Sequence, residues 1–125
     1  MSRIWQGENS KFFTFSEFTC KCGCGLCRMD RNFIDKINAL RESCNFPFII
    51  TSGFRCPDCN EKAGGAVNSG HLLGLAADIL ITDDLKRGML IKNAIYLGFQ
   101  RIGIAKNFIH LDLKPTENEI TIWTY

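Results

Sequence analysis

Two histidines and two aspartates carry the chemistry for which this chain can be read. His71 and Asp78 lie in Asn68-Ser69-Gly70-His71-Leu72-Leu73-Gly74-Leu75-Ala76-Ala77-Asp78, and His110 and Asp112 lie in Phe108-Ile109-His110-Leu111-Asp112. The sequence holds 2 histidines in all, so both fall in these short motifs. Imidazole together with carboxylate is the donor set of a zinc ion that keeps one position open for chemistry. On one straight helix His71 and Asp78 would stand about 10 Å apart along the axis, too far to share an ion bound at about 2 Å. The chain must therefore bend between them. Gly70 and Gly74 can adopt the positive φ of a tight reversal, and 76–81 reads as a short apolar strand that carries Asp78 back toward His71. In 108–113 Ile109, Leu111 and Leu113 alternate with Phe108, His110 and Asp112, so His110 and Asp112 share one strand face. Adjacent strands bearing Asp78 and His110, with His71 from a loop, would supply three protein ligands. A single histidine in a strand is more often a hydrogen-bonded structural residue, and an aspartate after two alanines can simply cap a turn. Only the combination, with its glycines, points to a metal.

The cysteines offer a second candidate set. There are 7, an odd number, and no signal peptide precedes them, which disfavours a secreted disulfide scaffold. Cys24/Cys27 and Cys56/Cys59 each have the two-residue gap that lets neighbouring thiolates share one ion, so a structural zinc on these four is one reading. Small buried residues or an adventitious disulfide are the other, and the spacing does not choose between them. Cys44, at the end of a helical pattern, reads as core.

Length and charge narrow the class. A chain of 125 residues suits one domain, 1–125, with enough apolar content for a core. A net charge of +2 spread over interspersed acids and bases leaves no strongly basic face, so nucleic acid is not expected as a partner. The first residues lack the apolar run of a signal peptide and no segment approaches the ~20 apolar residues of a membrane helix. Cytoplasmic synthesis without membrane attachment is the expectation.

The elements that must position these residues read as follows. Phe12, Phe13, Phe15 and Phe18 form an apolar lid or core wedge, with Ser16 and Glu17 opening a short helical turn. Asp30 caps a helix in which Phe33, Ile34, Ile37 and Leu40 recur at helical spacing, and Asn45 and Pro47 end it. A short strand over 48–51 follows, with Ser52-Gly53-Phe54-Arg55 as its exit loop and Gly64-Gly65 as a break. After the Asp78 strand, Asp83 or Asp84 caps a helix with Leu85, Met89, Leu90, Ile91, Ala94 and Leu97 as its apolar stripe, closed by Gly98. Strands over 101–105, 108–113 and 120–124, with turns at 106–107 and 115–118, read as an antiparallel meander. The whole is an α+β fold, a small antiparallel sheet with helices packed on one face.

Ser52-Gly53-Phe54-Arg55, Asn60, Gly64-Gly65-Ala66, the 68–78 motif and the 108–112 motif together resemble the zinc D-alanyl-D-alanine carboxypeptidase family, over nearly all the chain from about Phe13. The resemblance implies a hedgehog/DD-peptidase-like fold with Zn2+ held by His71, Asp78 and His110, and a monomer acting on the peptidoglycan stem peptide. The bond cut, terminal or internal, stays open. Some members are phage endolysins, so action on the cell wall after release is implied as well. Arg55 matches the family's arginine near the metal, which can hold a substrate carboxylate or an oxyanion. Many members carry an acidic general base three positions before the last histidine ligand. This chain has Asn107 there, and an amide cannot take a proton at neutral pH. Asp112 is the substitute base, with support of a histidine ligand as its other role. A noncatalytic zinc-stabilised module that binds the cell wall or a partner is the competing class. A zinc ribbon contacting nucleic acid is disfavoured by the charge.

Overall fold

The computed structural model describes residues 3–116 and 119–125. In chain order they form a 3₁₀ turn (Phe15–Phe18), α1 (Arg31–Cys44), β1 (Ile50–Ser52), α2 (Pro57–Lys62), β2 (Ala76–Leu80), α3 (Asp84–Tyr96), β3 (Arg101–Ile104), β4 (Phe108–Asp112) and β5 (Thr121–Thr124). The turn expected over 115–118 lies partly outside the described residues.

Local signals explain most of the boundaries. The Asp30 carboxylate accepts the Phe33 N–H at 3.2 Å and so caps α1, which stops where Asn45 turns left-handed at φ 57°. Of the two candidate caps for α3 the chain uses Asp83, whose carboxylate accepts the Lys86 N–H at 2.8 Å. The apolar stripe of α3 is narrower than its sequence pattern: Leu90 and Ala94 are fully buried, whereas Leu85 is 77% exposed and Met89 faces solvent. Helix α2 falls where no element is expected, and Pro57 at its first turn is the signal for it, since the missing N–H costs nothing there.

The five strands make one mixed sheet in the order β1-β2-β4-β3-β5. β1, β2, β4 and β3 pair antiparallel, but β5 runs parallel to β3. The tail is therefore not an antiparallel meander. Both edges of β4 are already taken by β2 and β3, so the returning chain must pass β3 and pair on its far edge. One sheet face carries Ala77, Ile79, Ile102, Ile109 and Leu111 into a core shared with Phe33, Ile34, Ile37 and Leu40 of α1 and Leu90 and Ala94 of α3. Trp5, Phe13 and Phe18 complete it, with Trp5 and Phe13 each set near edge-on or tilted against a neighbouring ring. The aromatic segment is thus a wedge in the core and not a lid. Among the described residues no helix is long and apolar enough to cross a membrane.

Candidate metal centre

Sheet register brings the site together. In the β2/β4 pair Asp78 stands directly opposite His110, which puts both side chains on the face away from the helices. His71 comes from the loop before β2. There Gly74 takes φ +71° while its backbone packs so tightly on the Arg28 carbonyl that a Cβ would have no room. Gly70 serves differently from expected: its φ is not positive, and what it provides is space, because a Cβ there would lie 2.5 Å from the Asp112 Oδ2.

The donor atoms converge. The Oδ1 of Asp78 is 3.3 Å from His71 Nε2 and 2.9 Å from His110 Nδ1, and the three groups offer ligand atoms all within 4.8 Å of one another. Ligand atoms on a tetrahedral ion with bonds of about 2.0–2.2 Å stand about 3.3–3.6 Å apart, so the set can close on zinc with small shifts. Each imidazole is also held from behind. His71 Nδ1 lies 2.7 Å from the Gly53 carbonyl, and His110 Nε2 lies 2.9 Å from Asp112 Oδ2. These contacts fix which nitrogen of each ring faces the centre, as partners of metal-ligating histidines do. All three residues are buried, at 3%, 6% and 6% exposure for His71, Asp78 and His110. The donor chemistry and the anchoring both fit a zinc ion.

The charges are arranged to match. Burial works against ionisation of Asp78, but hydrogen bonds from His110 and His71 and their charges outweigh it and hold its pKa at about 2. Asp112 is likewise held low against burial by His110, the Lys114 N–H and Arg101. Burial pulls the His110 pKa down, yet the two carboxylates on either side of its ring raise it overall.

A cleft of ≈ 440 Å³ opens over the cluster. Arg55 enters it with its guanidinium 3.7 Å from Asp78 Oδ2 and its Nε–H donating to Ser52 Oγ at 3.2 Å. Asp112 sits at the floor, 1% exposed, with Oδ2 on His110 and Oδ1 accepting the Lys114 N–H at 2.7 Å. Both oxygens are thus engaged, one with the His110 ring and the other with the Lys114 N–H. Asn107 is exposed on the β3–β4 turn and does not line the cleft. Four lining residues, Arg101, Lys114, Trp123 and Tyr125, were not legible as site residues in the sequence. Trp123 packs 5.4 Å from the His110 ring because the intervening strand position is Gly103, the register partner of both. The strand read over 120–124 forms at Thr121–Thr124, but its neighbour is set by the fold.

The cysteine set differs from the one spacing suggests. Cys56 and Cys59 are grouped with Cys20 and Cys22. A backbone hydrogen bond from Cys20 N–H to the Leu26 carbonyl closes the intervening loop and turns Cys27 inward, where it is 8% exposed against Thr19 and Met29. Cys24 stands beside Cys22, outside the group of four. Cys44 is buried, as expected.

This fold and site define a class: a small α+β protein whose sheet presents a buried, back-anchored His–Asp–His cluster to a polar cleft. Residues 11–112 match the model of the peptidase M15 family, and the chain belongs to that family. Over 45 residues it is 42% identical to a zinc D-Ala-D-Ala carboxypeptidase of Streptomyces albus G, a stretch that makes up 35% of this chain and 18% of that protein.

Proposed function

We propose that this protein is a zinc-dependent peptidase that hydrolyses peptide bonds in the stem peptide of peptidoglycan. The observation that carries the reading is the convergence of His71, Asp78 and His110 with the outer nitrogen of each ring held by Gly53 or Asp112. Membership of the peptidase M15 family supports the reaction class, and the similarity to a zinc D-Ala-D-Ala carboxypeptidase supports the metal and the substrate. His71, Asp78 and His110 would hold the ion, which when bound supplies Lewis-acid polarisation of the scissile carbonyl and of the attacking water. The chain does the rest. Asp112 keeps the His110 ring in one orientation and tautomer, with Nδ1 toward the centre. Arg55 extends donors into the cleft beside Asp78, where they can hold a substrate carboxylate or a developing oxyanion. Lys114 adds positive charge at the rim, and Trp123 covers the His110 ring from water.

A second reading, a zinc-stabilised cell-wall or partner-binding module without turnover, has one observation in its favour. Among the described residues lining the cleft the carboxylates are Asp78 and Asp112, and both are engaged with histidine. Incubating the protein with muropeptides, with zinc or with a chelator, and weighing the products separates the two. Cleavage that the chelator stops and zinc restores is expected, with the product masses identifying a terminal or an internal bond. His71→Ala should abolish it, and Arg55→Ala should lower kcat/KM by about 10- to 100-fold, the worth of a charge-assisted hydrogen bond. Muropeptide binding without any cleavage would establish the module instead, and full activity of His71→Ala would remove the metal centre from the mechanism.

A further inference from the structure

Away from the cleft face, four thiols stand together with no role in the reading above. Cys20, Cys22, Cys56 and Cys59 offer sulfur atoms all within 4.8 Å of one another, with Cys20–Cys22 and Cys22–Cys56 each at 3.5 Å. A zinc ion with four sulfur ligands at about 2.3 Å has sulfur–sulfur edges of about 3.8 Å, whereas a disulfide needs about 2.05 Å. The spacing is that of a tetrahedral site, not of a bonded pair. The Cys56 N–H donates to Cys20 Sγ at 3.4 Å, the kind of amide-to-sulfur bond that orients a thiolate ligand. Two chain segments contribute. Cys20 and Cys22 lie in the loop that the Cys20 to Leu26 hydrogen bond closes, and Cys56 and Cys59 are three apart on the first turn of α2, on one side of it. The Cys56/Cys59 half is joined to the cleft, since Cys56 follows Arg55, whose own N–H donates to the His71 carbonyl at 3.2 Å. Four clustered thiols, one of them exposed, would be an oxidation hazard if left free.

We propose that Cys20, Cys22, Cys56 and Cys59 bind a second zinc ion, which fastens the 20–27 loop to the start of α2 directly behind Arg55. Binding takes up one Zn2+, releases the four thiol protons and changes no oxidation state. Cys24 and Cys27 are not ligands.

Protein made with zinc and handled under reducing conditions should carry two zinc ions per chain by elemental analysis. His71→Ala should keep one, and cobalt in its place should show the near-ultraviolet charge-transfer absorption of thiolate ligands. Cys59→Ser should also keep one, without that absorption on cobalt exchange, and Cys24→Ser and Cys27→Ser should keep both. In the His71→Ala background, where only the cysteine site remains, zinc should raise Tm by more than about 5 °C. Should Cys59→Ser not fold, a mercurial titration of His71→Ala gives the same reading by releasing its one zinc as four thiols react. A single zinc in the wild type that His71→Ala removes, no thiolate absorption with cobalt, or loss of an ion in Cys24→Ser or Cys27→Ser would each overturn the assignment. Two zinc ions in the wild type with no muropeptide cleavage would leave this site standing while the peptidase reading falls.

Discussion

What stands on the two oxygens of Asp112 decides its role. One oxygen faces His110 Nε2 at 2.9 Å and the other accepts the Lys114 N–H at 2.7 Å, with Arg101 Nε 3.6 Å away. A carboxylate so held, and with its pKa pulled down, is a poor acceptor for a proton arriving from the cleft. It is well placed to hold a ligand. Asp112→Asn should therefore weaken zinc binding by about 10- to 100-fold, the usual cost of losing such a partner, while turnover at saturating zinc stays near wild type. Chelator competition and kcat measured on the same preparations check this. Zinc affinity unchanged with kcat collapsed would restore Asp112 as the base. The period-two pattern of 108–113 does place His110 and Asp112 on one face, and what it cannot say is that Asp112 turns back onto its own neighbour.

At the scale of elements, the site is a product of register. Asp78 opposite His110 requires β2 and β4 to be neighbours, and Trp123 over His110 requires β5 to lie beyond β3 with glycine between. Gly103 is the hinge of that second arrangement, since a Cβ there would lie 2.7 Å from Trp123 Nε1 and 2.9 Å from Tyr125 Cε2. Gly103→Ala should push both rings off the cleft at a cost of about 1–3 kcal/mol in stability, with zinc content unchanged and peptidase activity reduced. Indole fluorescence, thermal melting and metal analysis read the three effects. Unaltered fluorescence and turnover would mean that Trp123 does not matter to the cleft. Helices α1 and α3 were legible from their caps and stripes, because those signals are local. The parallel pairing of β5 was not, because occupancy of both β4 edges is a property of the assembled sheet.

For the molecule as a whole, a histidine between two buried aspartates makes stability depend on pH with opposite signs in the two metal states. The raised His110 pKa means that its charge stabilises the metal-free fold fully below the ordinary histidine value of about 6.5, and that this contribution is lost as pH rises through the raised value. The lowered Asp78 and Asp112 values contribute above the ordinary aspartate range and are lost only in strong acid, near pH 2 for Asp78. Of the shifted groups in the cleft His110 alone titrates between about pH 6 and 9. The Cys20 thiol, lowered to about 6, acts in the opposite sense, so Tm of the chelator-treated protein should fall with rising pH relative to that of His110→Gln. With zinc the trend should reverse, because the ion displaces the His110 proton and binds more tightly as protons grow scarce. Melting curves with zinc and with chelator across this range should diverge at high pH more in the wild type than in His110→Gln, and equal divergence in the two would contradict the placement of zinc on His110.

The sequence by itself determined the chemistry available and most of the elements that carry it. His71, Asp78 and His110 as a donor set, the capped helices and the alternation of 108–113 all rest on residue type and short-range spacing, which act along the chain, whereas Arg55 beside them came only from the resemblance to a family. Tertiary structure alone decided which atoms meet. It grouped Cys56 and Cys59 with Cys20 and Cys22 where spacing pointed to Cys24 and Cys27, brought Trp123 across Gly103, and closed both oxygens of Asp112. These outcomes depend on strand order and on a loop closed by one backbone hydrogen bond, and such long-range pairings leave no periodicity to read.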